Sequence, residues 1–326
     1  MQKKRILSGM RPTGKLHIGH YVGALENWVK LQDEYQNFHL IADYHVLTTD
    51  LNTKDVYANS IEMLIDWLAS DLDPAKSPMF RQSQIKEHTE LALILGMLIT
   101  VNRLERNPTL KDQVRDLNID NVIYGHLGYP VLQAADILLY KGNYVPVGED
   151  QVPHIEISRE IARKFNNQYG TTFPEPEPLL TNFARLQGLD GSAKMSKSLN
   201  NSILLSDNPE TVKSKMKKAV TDPNKIKKGD PGNPHICLVF LYHNKFNKSE
   251  VPEIETGCKS GELGCFDCKM RCAARISEVL APIIEKRIYY ENNIKVVEDI
   301  LADGESRAKN IAVQTMSEVR ENMKFG

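Results

Sequence analysis

The first two-thirds of this 326-residue sequence predict an α/β fold, a Rossmann-like doubly wound parallel sheet. Short apolar runs alternate with amphipathic helical stretches through about residue 180, the pattern of a parallel sheet covered on both faces. A Gly- and Pro-rich turn, Ser8-Gly9-Met10-Arg11-Pro12-Thr13-Gly14-Lys15-Leu16-His17-Ile18-Gly19-His20, stands between the first apolar run and the first helix. From about residue 206 helical patterns dominate and all five cysteines appear. The expected division is a Rossmann-like domain at 1–205 and a smaller helical C-terminal domain at 206–326.

Taken in order, Ile6 and Leu7 lead into that turn, and residues 21–35 read as a helix with Val22, Leu25 and Val29 on one face. Two imidazoles therefore fall where a strand hands over to a helix. Free N–H groups and the positive dipole end favour phosphate there. Gly19 lacks a Cβ and is expected to let a ligand lie against the backbone. Residues 38–42 make a second strand, and Tyr57, Ile61, Leu64, Ile65 and Leu68 recur at helical spacing until Asp73-Pro74. Met79-Phe80 opens a third strand, followed by a buried helix at 87–100. Residues 103–128 are polar and read as irregular. Tyr129-Pro130 then opens an apolar helix through Tyr140. Asp136 lies inside this apolar run. A carboxylate buried there needs a partner, either a structural one or a ligand. Residues 144–147 form the next strand, with Gly148-Glu149-Asp150 just past its end, where ribose hydroxyls are commonly held in such sheets. Residues 154–165 are the following helix, and the sheet should finish near Leu179-Leu180. A polar loop then carries Lys194-Met195-Ser196-Lys197-Ser198, and the last amphipathic stretch, 307–323, should pack back on the first domain.

Composition restricts the functional classes. Apolar residues make up 41% and charged residues 25%, as in an ordinary globular chain, which excludes a disordered or fibrous protein. The longest apolar run, 91–99, is too short to cross a bilayer. No signal-like apolar core follows the basic start, so a cytoplasmic location without membrane attachment is expected. The net charge of −1 does not announce a nucleic-acid partner. Locally, Lys213, Lys215, Lys217, Lys218, Lys225, Lys227 and Lys228 face a single acid, Asp222, within 211–228. That segment is either a solvated face or an RNA-contacting one.

His17-Ile18-Gly19-His20 early and Lys194-Met195-Ser196-Lys197-Ser198 late, both intact and in this order, resemble the paired signature of class I aminoacyl-tRNA synthetases. Leu-Ser-Gly-Met-Arg-Pro-Thr-Gly at 7–14, Ala-Ala-Asp-Ile-Leu-Leu-Tyr at 134–140 and Val-Pro-Val-Gly-Glu-Asp-Gln at 145–151 extend the resemblance. Over residues 5–320 the chain is similar to bacterial tryptophanyl-tRNA synthetases. One departure is Gln133, where that family often has methionine. The spacing of Gln133 and Asp136 is also that of the phenol-binding pair in tyrosyl enzymes.

The resemblance implies activation of L-tryptophan by ATP, release of pyrophosphate, and transfer of the aminoacyl group to tRNA(Trp) by a homodimer. On this reading His17, Gly19 and His20 receive the triphosphate, and Arg11, Pro12 and Thr13 form the adjoining wall. Lys194 and Lys197, with Met195, Ser196 and Ser198 of the same loop, close over the pyrophosphate, and Lys111 joins them. Gly148, Glu149, Asp150 and Leu186 hold the nucleoside, and Mg²⁺ accompanies ATP without a dedicated protein cage. Asp136 accepts the indole N–H, with Tyr129, Gln133, His45 and Val145 nearby. The rival readings are a tyrosyl enzyme of the same fold, a small-molecule nucleotidyltransferase, and a non-charging RNA-binding paralogue.

The cysteines add a second expectation. Cys258, Cys265, Cys268 and Cys272 follow a C-x6-C-x2-C-x3-C spacing, with Cys237 upstream. Disulfides do not suit a cytoplasmic chain. Such a set fits tetrahedral Zn²⁺ or a 4Fe–4S cluster, and spacing does not separate them. The resemblance to the cluster-bearing branch of the family implies Cys237, Cys258, Cys265 and Cys268 as the 4Fe–4S ligands, with Cys272 outside the set.

Overall fold

The computed structural model describes residues 3–116, 119–180, 186–192, 195–197 and 199–325. Its sheet has five strands: β1 (Arg5–Met10), β2 (Gln36–Ile41), β3 (Met79–Arg81), β4 (Tyr144–Val147) and β5 (Glu177–Leu180). The order is β3-β2-β1-β4-β5 and every pairing is parallel. Ile6 of β1 stands opposite Asn37 on one side and Tyr144 on the other, so the chain reverses its direction of winding at β1. That crevice, at the carboxyl ends of β1 and β4, is where doubly wound sheets bind ligands. Both faces of the sheet are covered. Phe38, Leu40 and Ile41 are therefore all buried, and the strands read as apolar runs rather than alternations. β5 lies at the edge, which is why it can contain Pro178.

The helix after β1 differs from the expected 21–35. It comprises α1 (Ile18–His20), a π-helical turn at Tyr21–Leu25 and α2 (Glu26–Leu31). Its end is set from outside, because the Asn37 side chain donates to the Leu31 carbonyl at 3.0 Å. α3 (Val56–Ala69) follows the predicted periodicity. α4 (Glu87–Gly96) is not a fully buried helix through residue 100. It buries His88, Leu91 and Leu95 but exposes Leu93, and Met97 just past its end is exposed too. The segment expected to be irregular holds α5 (Val101–Glu105), α6 (Pro108–Asp116) and the start of α7 (Tyr124–Leu139). α6 hides from a hydrophobicity reading because Leu110 is one of its few buried side chains amid polar neighbours. Pro130 lies inside α7 rather than at its start, and packing of α7 against α4 and α8 (Val152–Tyr169) offsets the missing backbone N–H.

The remainder is helical: α9 (Pro209–Lys217), α10 (Leu238–Phe246), α11 (Val251–Ser260), α12 (Cys265–Asn292) and α13 (Ile294–Met323). No helix among the described residues is long and apolar enough to cross a membrane. Two apolar clusters sandwich the sheet. One joins Leu16, Ile18, Leu25 and Trp28 to α3, to Ile203 and Leu205, and to Ile276 and Leu280 of α12. The other joins Phe38, Leu40 and Phe80 to α4, α7 and α8, and to Ala308, Ala312, Met316 and Val319 of α13. α13 thus returns to the sheet as expected, but from further upstream than residue 307. Gly304 lies directly on Met79 of β3, and a Cβ at this position would overlap the Met79 carbonyl oxygen. Arg81–Glu305 at 2.7 Å and Arg320–Glu90 at 2.9 Å flank the contact.

Substituting Gly304 by valine should separate α13 from β3 and lower unfolding free energy by about 1–3 kcal/mol or more, the usual cost of overpacking. Urea unfolding of the two proteins measures the difference.

Candidate active site

The turn after β1 is held by a short antiparallel pairing to a distant segment. Ile18 N–H donates to the Ile203 carbonyl and Leu205 N–H to the Leu16 carbonyl, both at 2.9 Å, and His17 bridges Leu204. This pairing brings residues 195–197 against the turn. Met195 is buried in the same apolar cluster as Leu16 and Ile18, and Lys197 Nζ donates to the Thr13 carbonyl. Burial lowers the Lys197 ammonium pKa, and the charge of Asp66 opposes that shift. Lys194 and Ser198 lie outside the described residues. Ser196 N–H donates to Asn201 Oδ1 at 2.8 Å.

His17 caps α1 in an extended conformation, and its N–H donates to His20 Nδ1 at 3.3 Å. The two imidazoles lie against each other with centroids 3.7 Å apart and planes tilted by 31°. The reason for glycine at 19 differs from the expected one. A Cβ there would sit 2.9 Å from the His17 ring and 3.4 Å from Met195 Sδ, so the space is taken by His17 itself. Arg11 is exposed and donates to Thr49 Oγ1 at 3.1 Å, while Pro12 is buried.

Beside this turn is a cavity of about 420 Å³ at the carboxyl ends of β1, β2 and β4. Its walls include His45, Tyr129, Gln133, Asp136 and Val145, all five of the side chains expected to form one pocket, together with Arg11 and Gly148. Asp136 is 3% exposed. Its Oδ2 accepts from His45 Nε2 at 2.8 Å, and its Oδ1 accepts from Gln82 Nε2 and His88 Nδ1, each at 2.7 Å. Burial by itself pushes this carboxyl up. The hydrogen bonds from His45 and His88 outweigh burial and hold it at about 2. A carboxylate has about four lone-pair positions, so one on Oδ2 is left for a donor in the cavity among the described residues.

A second layer fixes these donors. His88 donates from Nδ1, so its Nε2 accepts from the Tyr140 hydroxyl at 2.9 Å. On the opposite wall His154 Nδ1 accepts from Asn107 Nδ2 at 2.9 Å, and its Nε2–H donates to the Tyr129 hydroxyl at 2.7 Å. Burial lowers the His154 pKa to about 4, so the imidazole stays neutral. Gln82, His88, Tyr140 and His154 were not singled out from sequence. The one available signal was the position of Gln82, immediately after β3 at the carboxyl edge of the sheet.

The remaining expected residues are more dispersed. Glu149 and Asp150 occupy an exposed 3-10 turn after β4, where the Asp150 carbonyl accepts from the Thr109 hydroxyl at 2.8 Å. The Leu186 side chain is buried in the core rather than open to a ligand. Lys111 is exposed on α6 and is not among the residues lining the cavity.

Cys237, Cys258, Cys265 and Cys268 are each partly buried around α10, α11 and the start of α12. Burial pushes the Cys268 thiol up to about 12, with Cys237, Cys258 and Cys265 adding to the effect. Burial also raises Cys258, the nearby Lys225 opposing it. Cys272 is fully buried in the apolar core. No three His, Cys, Asp or Glu side chains among the described residues are close enough to hold a metal ion. The basic segment is less free than it reads. Lys213 pairs with Glu210 and Lys215 with Asp207, while buried Lys225 donates to the Cys258 carbonyl at 3.2 Å.

A parallel 3-2-1-4-5 sheet with this histidine turn and its lysine-bearing neighbour is the class I synthetase arrangement. The family model described as tRNA synthetases class I (W and Y) matches residues 1–281. The tryptophan–tRNA ligase of Thermotoga maritima is 47% identical, covering 98% of both chains, and that of Aquifex aeolicus 44%, covering 98% of this chain and 99% of the other. A crystal structure of Campylobacter jejuni tryptophanyl-tRNA synthetase, complexed with ADP and tryptophan, superposes with a TM-score of 0.88 at 34% identity, covering 98% of this chain and 99% of that one. The chain belongs to the class I tRNA synthetases, in their bacterial tryptophanyl family.

Replacing His88 by leucine should cost about 1–3 kcal/mol of stability, because the Tyr140 hydroxyl loses its buried acceptor and Asp136 a donor. Chemical denaturation measures the loss, and an unchanged midpoint would remove His88 from the network.

Proposed function

We infer that the cavity walled by His45, Tyr129, Gln133, Asp136 and Val145 receives the indole of tryptophan, and that the adjacent His17–His20 turn receives ATP. The chain is an ATP-dependent aminoacyl-tRNA ligase acting on L-tryptophan and tRNA(Trp). The tryptophan carboxylate attacks the α-phosphorus of ATP. The bond from that phosphorus to the bridging oxygen breaks, and pyrophosphate leaves. A ribose hydroxyl at the tRNA 3′ end then attacks the activated carbonyl, and AMP leaves. The first nucleophile is already ionised at neutral pH, so the site needs position and positive charge rather than a general base.

The observation that carries the pocket reading is that Asp136 lines the cavity and, among the described residues, its Oδ2 has the one donor His45, leaving room for an indole N–H to complete its coordination. Phenylalanine, lacking a donor, would leave that carboxylate short of a partner, a mismatch worth ~10⁴-fold or more in comparable sites. In the same reading His17, Gly19 and His20 hold the triphosphate at the N-terminus of α1, beside Arg11, Pro12 and Thr13. Lys194 and Lys197, with Met195, Ser196, Ser198 and Lys111, meet the pyrophosphate. Gly148, Glu149 and Asp150 hold the nucleoside, with Leu186 contributing through its backbone. Mg²⁺ arrives with ATP. Residues 1–205 form the catalytic domain and 206–326 the tRNA-binding one, in a cytoplasmic enzyme. Leu93, Met97, Val101 and Tyr124, exposed on and between packed helices α4, α5 and α7, favour the expected homodimer.

The thiols Cys237, Cys258, Cys265 and Cys268 are proposed to hold a 4Fe–4S cluster that braces the helical domain. Support comes from their mutual electrostatic reach: Cys237, Cys258 and Cys265 all act on the partly buried Cys268 thiol, so the four lie near one another, and a metal centre would stabilise them as thiolates. A single zinc would require sulfurs within ~3.8 Å of each other, given Zn–S bonds of ~2.3 Å, whereas a cuboidal cluster accepts a wider cage.

Pyrophosphate–ATP exchange should be supported by tryptophan and not by tyrosine, and Asp136→Ala should lose about 10³-fold or more in kcat/KM for tryptophan with little change in KM for ATP. Exchange with tyrosine would reassign Gln133 and Asp136 to phenol recognition. Anaerobically purified protein should be brown, with about four irons and four sulfides per chain. Colourless zinc-bearing protein would replace the cluster by zinc.

A further inference from the structure

Asp66 on α3 is fully buried and belongs to neither signature. Its Oδ2 accepts from the Leu16 N–H at 2.6 Å, one residue before His17. Its Oδ1 accepts from Arg287 Nη1 on α12. Arg287 is itself 1% exposed and donates from Nη2 to Glu62 at 2.8 Å and to Glu291 at 2.6 Å. The carboxylate therefore has one oxygen on the histidine turn and the other on a helix of the C-terminal half.

α12 begins at Cys265 and carries Cys268 and Cys272 before reaching Arg287. At ~1.5 Å per residue the thiol end lies roughly 33 Å from the guanidinium. One continuous helix thus runs from the cysteine cluster to the backbone that orients His17. Glu62, which Arg287 also holds, lies 4.0 Å from Lys15 in the same turn. Lys197 of the late signature senses the Asp66 charge.

We propose that Asp66 is a positioning residue for the His17–His20 turn and that Arg287 keeps it ionised, so that the placement of α12 bears on ATP binding through this turn. The proposal rests on the reading of that turn as the triphosphate site. It assigns Asp66 and Arg287 no contact with substrate. They act through the Leu16 N–H, which fixes where α1 begins and how His17 and His20 are presented.

The groups facing Asp66 set its titration. The carboxyl sits at about 6, the net of opposing influences. Burial, the largest, raises it, Arg287 and the Leu16 N–H pull it down, and Glu62 raises it. Lys197 adds a distant positive charge. Removing Arg287 takes away the strongest lowering influence, so the carboxyl rises further and is protonated near neutrality. The neutral acid accepts from the Leu16 N–H more weakly than a carboxylate does, and raising the pH restores the ionised, stronger acceptor.

The test uses the full-length, metal-loaded protein with Arg287→Met and Arg287→Lys. Three quantities are read from pH 6.5 to 9: tryptophan-dependent pyrophosphate–ATP exchange, calorimetric tryptophan affinity, and amide hydrogen exchange at Leu16. For Arg287→Met the expected result is a fall of about tenfold or more in kcat/KM for ATP at pH 6.5, with tryptophan affinity within about twofold. The deficit should shrink at least threefold by pH 9, and Leu16 should lose protection at low pH. Arg287→Lys should recover to within about threefold of the parent. If Arg287→Met does not fold, Asp66→Leu/Arg287→Met removes both buried charges and the acceptor of the Leu16 N–H, and should show the ATP deficit without pH dependence. Equal losses for ATP and tryptophan, a pH-independent deficit in the single variant, no recovery with lysine, or unchanged Leu16 protection would each overturn the proposal. Absence of exchange in the parent protein would overturn the reading of the turn as an ATP site, while Leu16 protection would still report on the link to α12.

Discussion

Two backbone hydrogen bonds between residues 16–18 and 203–205 hold the active region together. They are few, but they join segments nearly two hundred residues apart. The apolar cluster built around them, from Leu16 and Ile18 to Met195, Ile203 and Leu205, excludes water from the pairing. The histidine turn gains a fixed backbone, and residues 195–197 gain a surface to lie on. Without the pairing, α1 would begin at an undetermined angle and Lys197 would have no neighbour in the turn.

The cavity beside that turn is organised differently. Its central group, Asp136, is buried on the apolar helix α7, where an unsatisfied carboxylate would be very costly. Three donors from three elements converge on it: His45 after β2, Gln82 after β3 and His88 on α4. Tyr140 and the Tyr129–His154–Asn107 chain restrict the rotamers of the surrounding side chains. The charge is therefore fixed in place before a ligand arrives, and recognition of an N–H donor needs no rearrangement of the acceptor. This is the arrangement expected of a site that discriminates by one hydrogen bond and encloses an aromatic ring.

The two halves of the chain share both cores. α12 packs on α3 and α9, and α13 crosses back to β3, where Gly304 allows backbone contact. Arg287 is the polar part of this shared interface. Burying a guanidinium against three carboxylates is not an efficient source of stability, since desolvation consumes much of the Coulomb attraction. It does specify one relative placement of α12 and α3. A misplaced α12 would leave buried charges unpaired.

The strand–helix alternation, the strand positions and the paired signatures were legible because they are local. Apolar runs of strand length, turn residues and helical spacing state their own conformation. The same holds for Asp136, whose presence in an apolar run announced a partner without naming it. α6 and the first half of α7 were not legible, since α6 is polar on average with Leu110 among its few buried apolar side chains, and the start of α7 carries the weak helix formers Gly125 and Gly128. Gln82, His88 and His154 were equally hidden, as each looks like an ordinary polar residue until folding brings it to a particular atom. The role of Gly19 shows the same limit: its glycine was evident, but only the folded turn revealed that the His17 ring occupies the space. By itself the sequence determined the fold class, the chemistry available and the place on the sheet where it gathers, because those follow from composition and short-range spacing. The tertiary structure decided which donors reach each oxygen of Asp136, which helix holds Asp66 and how the two signatures meet, because hydrogen bonds between distant segments depend on distances that no local pattern encodes.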